Sequence, residues 1–147
     1  FLWMNNIEAI LEKEGYFACT TVGLSMYPML RNRKDTVVIY SVNRCLKKYD
    51  VLLYRRGNDY VLHRVIKVLE NGYLIRGDNC FYNELVLDNQ VIGILGLFYR
   101  NKKKIKISDW RYVCYYKCWC FIHPIGVIFI RIRTKIGCMI RYVSNKI

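Results

Sequence analysis

The chain opens with a pattern of apolar positions that fits one short helix. Ile7, Ile10 and Leu11 recur at intervals of three and four residues, the spacing that places side chains on one face of an α-helix. Gly15 follows, and glycine is the residue that most readily ends a helix in a left-handed conformation. The pattern predicts a short amphipathic helix over residues 4–14, within an N-terminal segment of residues 1–15.

From residue 16 the pattern changes to short runs of β-branched and aromatic residues separated by turn residues, which is typical of strands. The six runs are 16–22, 36–42, 51–55, 60–69, 73–76 and 91–99. Asn71-Gly72 is the preferred two-residue hairpin turn. The runs predict a mainly β fold, with one antiparallel β domain over residues 16–100.

Residues 101–147 follow a third pattern, in which large apolar residues alternate with basic ones. At about 100° per residue, eight apolar side chains after Pro124 fall within one arc of about 100°. They are Ile125, Ile128, Phe129, Ile132, Ile136, Met139, Ile140 and Val143. Arg131, Arg133, Lys135 and Arg141 fall outside that arc, whereas Val127, Ile130 and Cys138 are exceptions to it. The pattern predicts a basic amphipathic helix that lies in an anionic interface.

Residues 112–130 are long enough to span a bilayer, but their composition argues against a clean span. Lys117 lies within the stretch, and the stretch is rich in Trp and Tyr, which prefer the membrane interface to the hydrocarbon centre. We therefore expect residues 101–147 to associate with the membrane without a single clean span. The side of the membrane is left open by the sequence.

The net charge of +13 is concentrated in the same segment. Residues 1–100 carry 13 basic and 10 acidic residues, whereas residues 101–147 carry 11 basic residues and one acid, Asp109. Such a segment is expected to meet an anionic surface. The lysine-rich run 102–106 and the aromatic residues after it fit nucleic acid in part, but the alternation with long aliphatic residues favours anionic membrane lipid, so no nucleic acid is expected.

The first candidate for chemistry is Ser25, in the stretch Gly23-Leu24-Ser25-Met26-Tyr27-Pro28. Glycine permits a sharp turn before the serine, and proline fixes the backbone after it. A serine on such a turn presents its hydroxyl as a nucleophile, and its own backbone N–H is then available to bind an oxyanion. A plain turn serine is the ordinary alternative, so this stretch needs a partner before it indicates catalysis.

That partner is His63, which lies in the strand-like run 60–69. Serine needs an adjacent base to become a nucleophile, and histidine suits this task near neutral pH. The chain has only two histidines, which narrows the choice. A carboxylate that holds the imidazole in one tautomer would complete a triad, and the candidates are Asp78, in Gly77-Asp78-Asn79, and Glu84.

Taken together and in order, these stretches resemble the motifs of type I signal peptidases. The matching motifs are Gly23-Leu24-Ser25-Met26-Tyr27-Pro28-Met29-Leu30, Asp50-Val51-Leu52-Leu53-Tyr54, Leu62-His63-Arg64-Val65 and Arg76-Gly77-Asp78-Asn79. The His-Arg-Val motif is similar to that of the archaeal and endoplasmic-reticulum branch, in which histidine replaces lysine. The resemblance covers residues 21–96. It implies a β-rich serine endopeptidase that cleaves the signal or leader peptides of secreted precursors after small residues, near a membrane.

Two departures from the family affect the interpretation. Met29 stands where the family often has threonine, which should matter little. The endoplasmic-reticulum branch has an aspartate a few residues beyond Gly-Asp-Asn, where this chain offers Glu84, so the third member is open between Asp78 and Glu84, with a preference for Asp78. The related self-cleaving SOS repressors use lysine as the base and need a cleavable bond upstream of the serine. We therefore expect cleavage in trans.

No cofactor or metal is expected from the sequence. Cys114, Cys118, Cys120 and His123 are spaced unlike familiar zinc motifs and lie among aromatic residues. The alternative to an enzyme is a non-catalytic β module that binds membrane or nucleic acid through its basic tail. The identity of the precursor and the oligomeric state are left open.

Overall fold

A computed structural model describes residues 7–144, with side chains of the last helix described up to residue 126 and at residues 128, 129 and 132. Helix α1 spans Ile7–Glu14 and packs Leu11 into the core. Gly15 ends the helix with φ +76°, and its N–H donates to the Leu11 carbonyl at 3.0 Å. The helix is confirmed over these residues, whereas its predicted first turn, residues 4–6, lies outside the described residues.

Within residues 7–144, the body of the molecule is an antiparallel sheet of eight strands. The strands are β1 (Tyr16–Thr20), β2 (Thr36–Tyr40), β3 (Val51–Arg56), β4 (Asp59–Leu69), β5 (Gly72–Arg76), β6 (Glu84–Leu87), β7 (Val91–Arg100) and β8 (Lys103–Lys106). Their order is β1-β2-β7-β3-β4-β5-β6, and β8 pairs with β7. The mainly β fold is therefore confirmed, and β6 and β8 add two strands to the six that the sequence predicts.

Alternation along the central strands divides the core between the two faces of the sheet. On β3, Val51 and Leu53 pack into the cluster that also contains Leu11 and Tyr112. Their neighbour Leu52 packs with Tyr54 into a second cluster on the other face. Strand β3 is buried on both faces, because the sheet carries packed apolar layers on each side of it.

Helix α2 spans Trp110–Ser144 and begins directly after β8. The Asp109 side chain accepts a hydrogen bond from the Arg111 N–H at 2.9 Å, which caps the helix start. No helix within residues 7–144 combines the length and the apolar character needed to cross a membrane. The side chains of residues 136–143, on which much of the predicted apolar arc depends, lie outside the described part of the chain.

The predicted boundary at residue 101 does not coincide with a break in packing. Lys103–Lys106 completes the sheet against β7, and Tyr112 is 6% exposed within the main core cluster. His123, further along α2, is 3% exposed. Residues beyond the predicted boundary thus supply a strand of the sheet and a core aromatic side chain.

Candidate active site

Ser25 lies in the loop of residues 21–35 between β1 and β2, which we call the serine loop. The buried carboxylate of Asp35 holds its end, with Arg31 Nη2 at 2.8 Å and Arg100 Nη2 at 3.0 Å. Burial alone would raise the pKa of Asp35, but hydrogen bonds from Arg31 and Arg100 outweigh it and hold the pKa below its ordinary value. The loop is therefore anchored to β7, which carries Arg100.

The beginning of the serine loop is tied to the turn after β5. Gly23 adopts φ +106° and donates its N–H to Asn32 Oδ1 at 2.9 Å. The Ser25 carbonyl accepts a hydrogen bond from the Asn79 N–H at 2.8 Å, and Asn79 Nδ2 donates to the Leu24 carbonyl at 3.1 Å. Among the described residues the Ser25 N–H donates to no acceptor, which leaves it available as an oxyanion donor.

His63 stands in the middle of β4 and is 2% exposed. No described residue satisfies its Nε2 atom, so the Ser25 hydroxyl does not hydrogen-bond to it in this structure. The two residues nevertheless converge on Gly77, because a Cβ built there would lie 2.6 Å from the Ser25 carbonyl oxygen and 3.0 Å from His63 Nε2. Catalytic hydrogen bonds are often long in unliganded enzymes and tighten when substrate is bound.

The other ring nitrogen of His63 faces Tyr54 and Glu84. The Tyr54 hydroxyl lies 3.2 Å from Nδ1 and donates to Glu84 Oε2 at 2.7 Å, while Glu84 Oε1 is 3.8 Å from Nδ1. Arg56 Nη1 pairs with Glu84 Oε1 at 3.2 Å. Burial lowers the pKa of His63, and the charge of Glu84 opposes that change only in part.

Asp78, the preferred third member from the sequence, binds Arg64 instead of His63. Arg64 Nε donates to Oδ1 and Nη2 to Oδ2, each at 2.7 Å, and both side chains are buried. Neighbouring residues of a strand point to opposite faces, so Arg64 and His63 meet different carboxylates. A buried guanidinium without a counter-charge is very costly, and both oxygens of Asp78 serve that role. The carboxylate beside His63 Nδ1 is Glu84.

Helix α2 completes the surroundings of the Arg64–Asp78 pair. Arg64 Nη1 donates to the Tyr112 hydroxyl at 3.3 Å, and that hydroxyl lies 3.0 Å from Met29 Sδ in the serine loop. Trp119 Nε1 donates to the Asp78 carbonyl at 3.0 Å. Tyr112 and Trp119 lie in the stretch that the sequence associates with a membrane interface, and here they contact Arg64 and the Asp78 carbonyl.

An apolar groove opens beside Ser25 and His63, with a volume of about 750 Å³. Side chains from four strands line it, among them Phe17, Ile39, Leu53 and Leu62. The walls of the groove are mostly apolar. Ligand sites in proteins are typically concave and mostly apolar.

Tyr54 and Arg64 are the residues that sequence reasoning did not assign to the site. The signal that would have found Tyr54 is the hairpin register, in which Tyr54 pairs with Val61 and Leu52 with His63. Paired residues share a face, so Tyr54 is the diagonal neighbour of His63 and within reach of an aromatic side chain. The turn at residues 57–58 fixes this register.

Among the described residues, Cys114, Cys118 and Cys120 form no metal-binding group with His123. Within residues 7–144, no group of three or more His, Cys, Asp or Glu side chains is arranged to hold a metal ion. Cys114 and Cys118 are exposed, whereas His123 is buried against the β domain with its Nε2 unsatisfied by any described residue. Burial is the main cause that lowers the pKa of His123.

No protein-family model matches this chain, and no curated protein sequence matches it.

Proposed function

We propose that this protein is a serine endopeptidase of the signal-peptidase type, with Ser25 as nucleophile, His63 as general base and Glu84 as the supporting carboxylate. The observation that carries the proposal is the buried imidazole of His63. Its buried Nε2 atom has no partner among the described residues, and His63 lines the same groove as Ser25. A buried polar atom without a partner is costly, which is typical of a group kept free for substrate chemistry.

The reaction begins when the Ser25 hydroxyl attacks the scissile carbonyl while His63 Nε2 takes its proton. The Ser25 backbone N–H stabilises the oxyanion, and Glu84 stabilises the imidazolium that forms. His63 then gives its proton to the leaving amine, which departs, and water releases the acyl group by the same steps. Asp78 has no direct part in these steps, because its oxygens hold Arg64.

The substrates proposed are secreted precursor peptides, cleaved at their signal or leader segments. The apolar lining of the groove supports this choice, because such segments are apolar. The preference for small residues before the cleaved bond comes from the resemblance of residues 21–96 to type I signal peptidases.

Labelling with a fluorophosphonate serine probe tests the proposed function. We expect the full-length protein to be labelled, and Ser25→Ala to abolish labelling without loss of folding. His63→Ala should be nearly as severe, and the double variant little worse than either, because the members of a triad act as a unit. Ser108→Ala is the matched control, since Ser108 is exposed and is not one of the groove residues. Labelling that survives Ser25→Ala would exclude Ser25 as the nucleophile.

We further propose that α2 holds the enzyme on anionic membranes. Its outward-facing apolar side chains support this, since Phe121 is 87% exposed, Ile125 74% and Phe129 68%. Apolar side chains on a helix with basic neighbours bind an anionic interface, and the binding weakens with salt.

Sedimentation with vesicles tests the membrane proposal. The protein should sediment with vesicles that contain phosphatidylserine and remain unbound with neutral ones, and salt should weaken the binding. Phe121→Gln together with Phe129→Gln should reduce binding, whereas Leu85→Gln, which changes an exposed leucine of β6, should not. Equal binding by all three proteins would contradict a role for α2.

A further inference from the structure

Tyr54 connects the supporting carboxylate to the base, since no direct hydrogen bond joins the two. Its side chain is 1% exposed, and its hydroxyl lies between Glu84 Oε2 at 2.7 Å and His63 Nδ1 at 3.2 Å. The shortest separation between His63 Nδ1 and a Glu84 oxygen is 3.8 Å, beyond hydrogen-bonding distance. Any hydrogen-bonded connection between Glu84 and the imidazole of His63 therefore runs through the Tyr54 hydroxyl.

The positions of the hydrogen atoms between Glu84, Tyr54 and His63 follow from a count of the hydrogen-bond donors. Arg56 lies 3.2 Å from Glu84, so the carboxylate is an ion that only accepts hydrogen bonds. The single phenolic hydrogen of Tyr54 is given to Glu84. Toward His63 the phenol oxygen can then only accept, which requires a hydrogen on Nδ1. A neutral imidazole with its hydrogen on Nδ1 has its lone pair on Nε2.

From this geometry we infer that Tyr54 is a positioning residue, which holds neutral His63 in the Nδ1–H tautomer and so leaves the lone pair on Nε2 for the proposed reaction with Ser25. The inference rests on the proposed function for its consequence in catalysis, but the tautomer itself does not. No proton passes to Tyr54 during the cycle. Burial and the hydrogen bond to Glu84 both raise the pKa of Tyr54, so the phenol keeps its hydrogen.

The position of Glu84 explains why a phenol is needed. Arg56 is half exposed and pairs with the Glu84 carboxylate, whereas His63 is buried. Tyr54 spans the gap and fills the buried space with an apolar ring, so a single side chain satisfies both Nδ1 and a carboxylate oxygen. Truncation of the hydroxyl would leave the Nδ1 hydrogen buried without an acceptor, which is unfavourable.

The test is ¹⁵N NMR of the histidine rings in the full-length protein, at a pH above the titration of both histidines. The chain has two histidines, so a His123→Gln sample assigns the signals. We expect His63 to carry its hydrogen on Nδ1 in the wild-type protein. Tyr54→Phe should convert it in part or wholly to the Nε2–H form, whereas Glu84→Gln should keep the Nδ1–H form, since the amide oxygen still accepts from the phenol. An Nε2–H tautomer in the wild-type protein would overturn the inference without any variant.

Kinetics with the serine probe provide the second measurement. Tyr54→Phe should slow labelling by about 10²-fold, a typical contribution of general-base catalysis. Tyr73→Phe is the matched control, because Tyr73 lies on β5 and its hydroxyl bonds to Asp88 instead of Glu84 or His63. If Glu84 contacts His63 directly in Tyr54→Phe, the variant will still be labelled. The pH at which its labelling rate falls on acidification will then be higher than in the wild-type protein, which would overturn the role of Tyr54. If wild-type protein shows the Nδ1–H tautomer but is never labelled, the proposed function fails while the assignment of Tyr54 to the tautomer stands.

Discussion

His63 and Arg64 are neighbours on β4, yet their side chains serve different structures. Alternation sends His63 to the face that carries Leu52 and Tyr54, and sends Arg64 to the face that carries Met29. Each then meets its own carboxylate, so the acids Glu84 and Asp78 have separate tasks at the scale of single residues. One carboxylate supports the proposed base and the other neutralises a buried cation.

Substitution of the two acids should separate these tasks. Asp78→Asn leaves the buried Arg64 without its counter-charge and should lower the free energy of unfolding by about 3–5 kcal/mol. Glu84→Gln should change stability little, because the side chain is partly exposed, but should slow probe labelling by roughly 10²-fold. Urea unfolding and labelling rates measure the two effects. A stable Asp78→Asn variant with slow labelling, beside a fully active Glu84→Gln variant, would return the catalytic role to Asp78.

Gly77 is required by the close approach of three groups. A Cβ at this position would lie 2.6 Å from the Ser25 carbonyl oxygen, 2.8 Å from Cys80 Sγ and 3.0 Å from His63 Nε2. Gly77→Ala should therefore displace the serine loop or the imidazole, slow labelling by about 10²-fold and cost about 1–3 kcal/mol of stability.

Gly57→Asn is the control for the Gly77 variant. A Cβ built at Gly57 would have no atom within 4 Å, and asparagine tolerates the φ of +60° at this position. Labelling rates and urea midpoints measured on both variants distinguish a local clash from general damage. Wild-type labelling by Gly77→Ala would mean that Ser25 and His63 do not converge at this glycine during the reaction.

At the scale of elements, periodicity predicts the strands that alternate or carry long apolar runs, and it misses those that do not. Lys103–Lys106 has three lysines, and it forms β8 because its backbone pairs with β7. Tertiary pairing overrides propensity in such a strand. The four-residue strand Glu84–Leu87 is too short to be distinguished from a loop by its pattern.

Local sequence patterns predict part of the candidate site, whereas the rest depends on long-range contacts. Ser25 and His63 follow from short motifs, because a turn serine and a strand histidine are local features. The partners of His63 and Arg64 depend on strand register and on the position of α2, which no local pattern contains. The preference for Asp78 rests on its place in the Gly77-Asp78-Asn79 motif, whereas the structure pairs Asp78 with Arg64 and places Glu84 beside His63 Nδ1.

Helix α2 contributes to the stability of the β domain through Tyr112. Its ring packs edge-on against Phe98, and its hydroxyl contacts Arg64. Tyr112→Ala should lower the free energy of unfolding by about 3–5 kcal/mol, as expected for a buried aromatic side chain. Trp110→Ala, on the same turn but 70% exposed, should stay within about 0.5 kcal/mol of wild type. Equal stability of the two variants, measured by urea unfolding, would mean that α2 is only an appended tail.

At the scale of the whole molecule, two buried histidines make stability depend on pH. Burial lowers the pKa of both His63 and His123 in the folded protein. Between the ordinary histidine pKa of about 6.5 and the lower folded values, the unfolded chain binds more protons, so stability falls as the pH falls. The loss should approach about 1.4 kcal/mol per pH unit for each histidine across that interval.

Urea midpoints at a series of pH values measure this dependence. His63→Gln and His123→Gln should each remove part of the slope, and the double variant should be nearly flat between neutral pH and the range in which the carboxylates titrate. At lower pH, where the carboxylates titrate, Asp35 adds a further loss of stability. Its pKa is held low in the folded state, so its stabilising effect disappears as it becomes protonated. An unchanged slope in both single variants would mean that neither imidazole is neutral and buried in solution.

The contact between Tyr112 and Met29 also has a consequence for synthesis. These residues are 83 positions apart, and domains fold as units while the chain emerges from the ribosome. The serine loop and His63 emerge long before the helix that closes the core behind Arg64. We expect ribosome-bound chains that end at residue 106 to be digested readily by added protease, and chains in which α2 has fully emerged to resist it. The proposed nucleophile and base would then become a working pair only after α2 has emerged and closed the core behind Arg64.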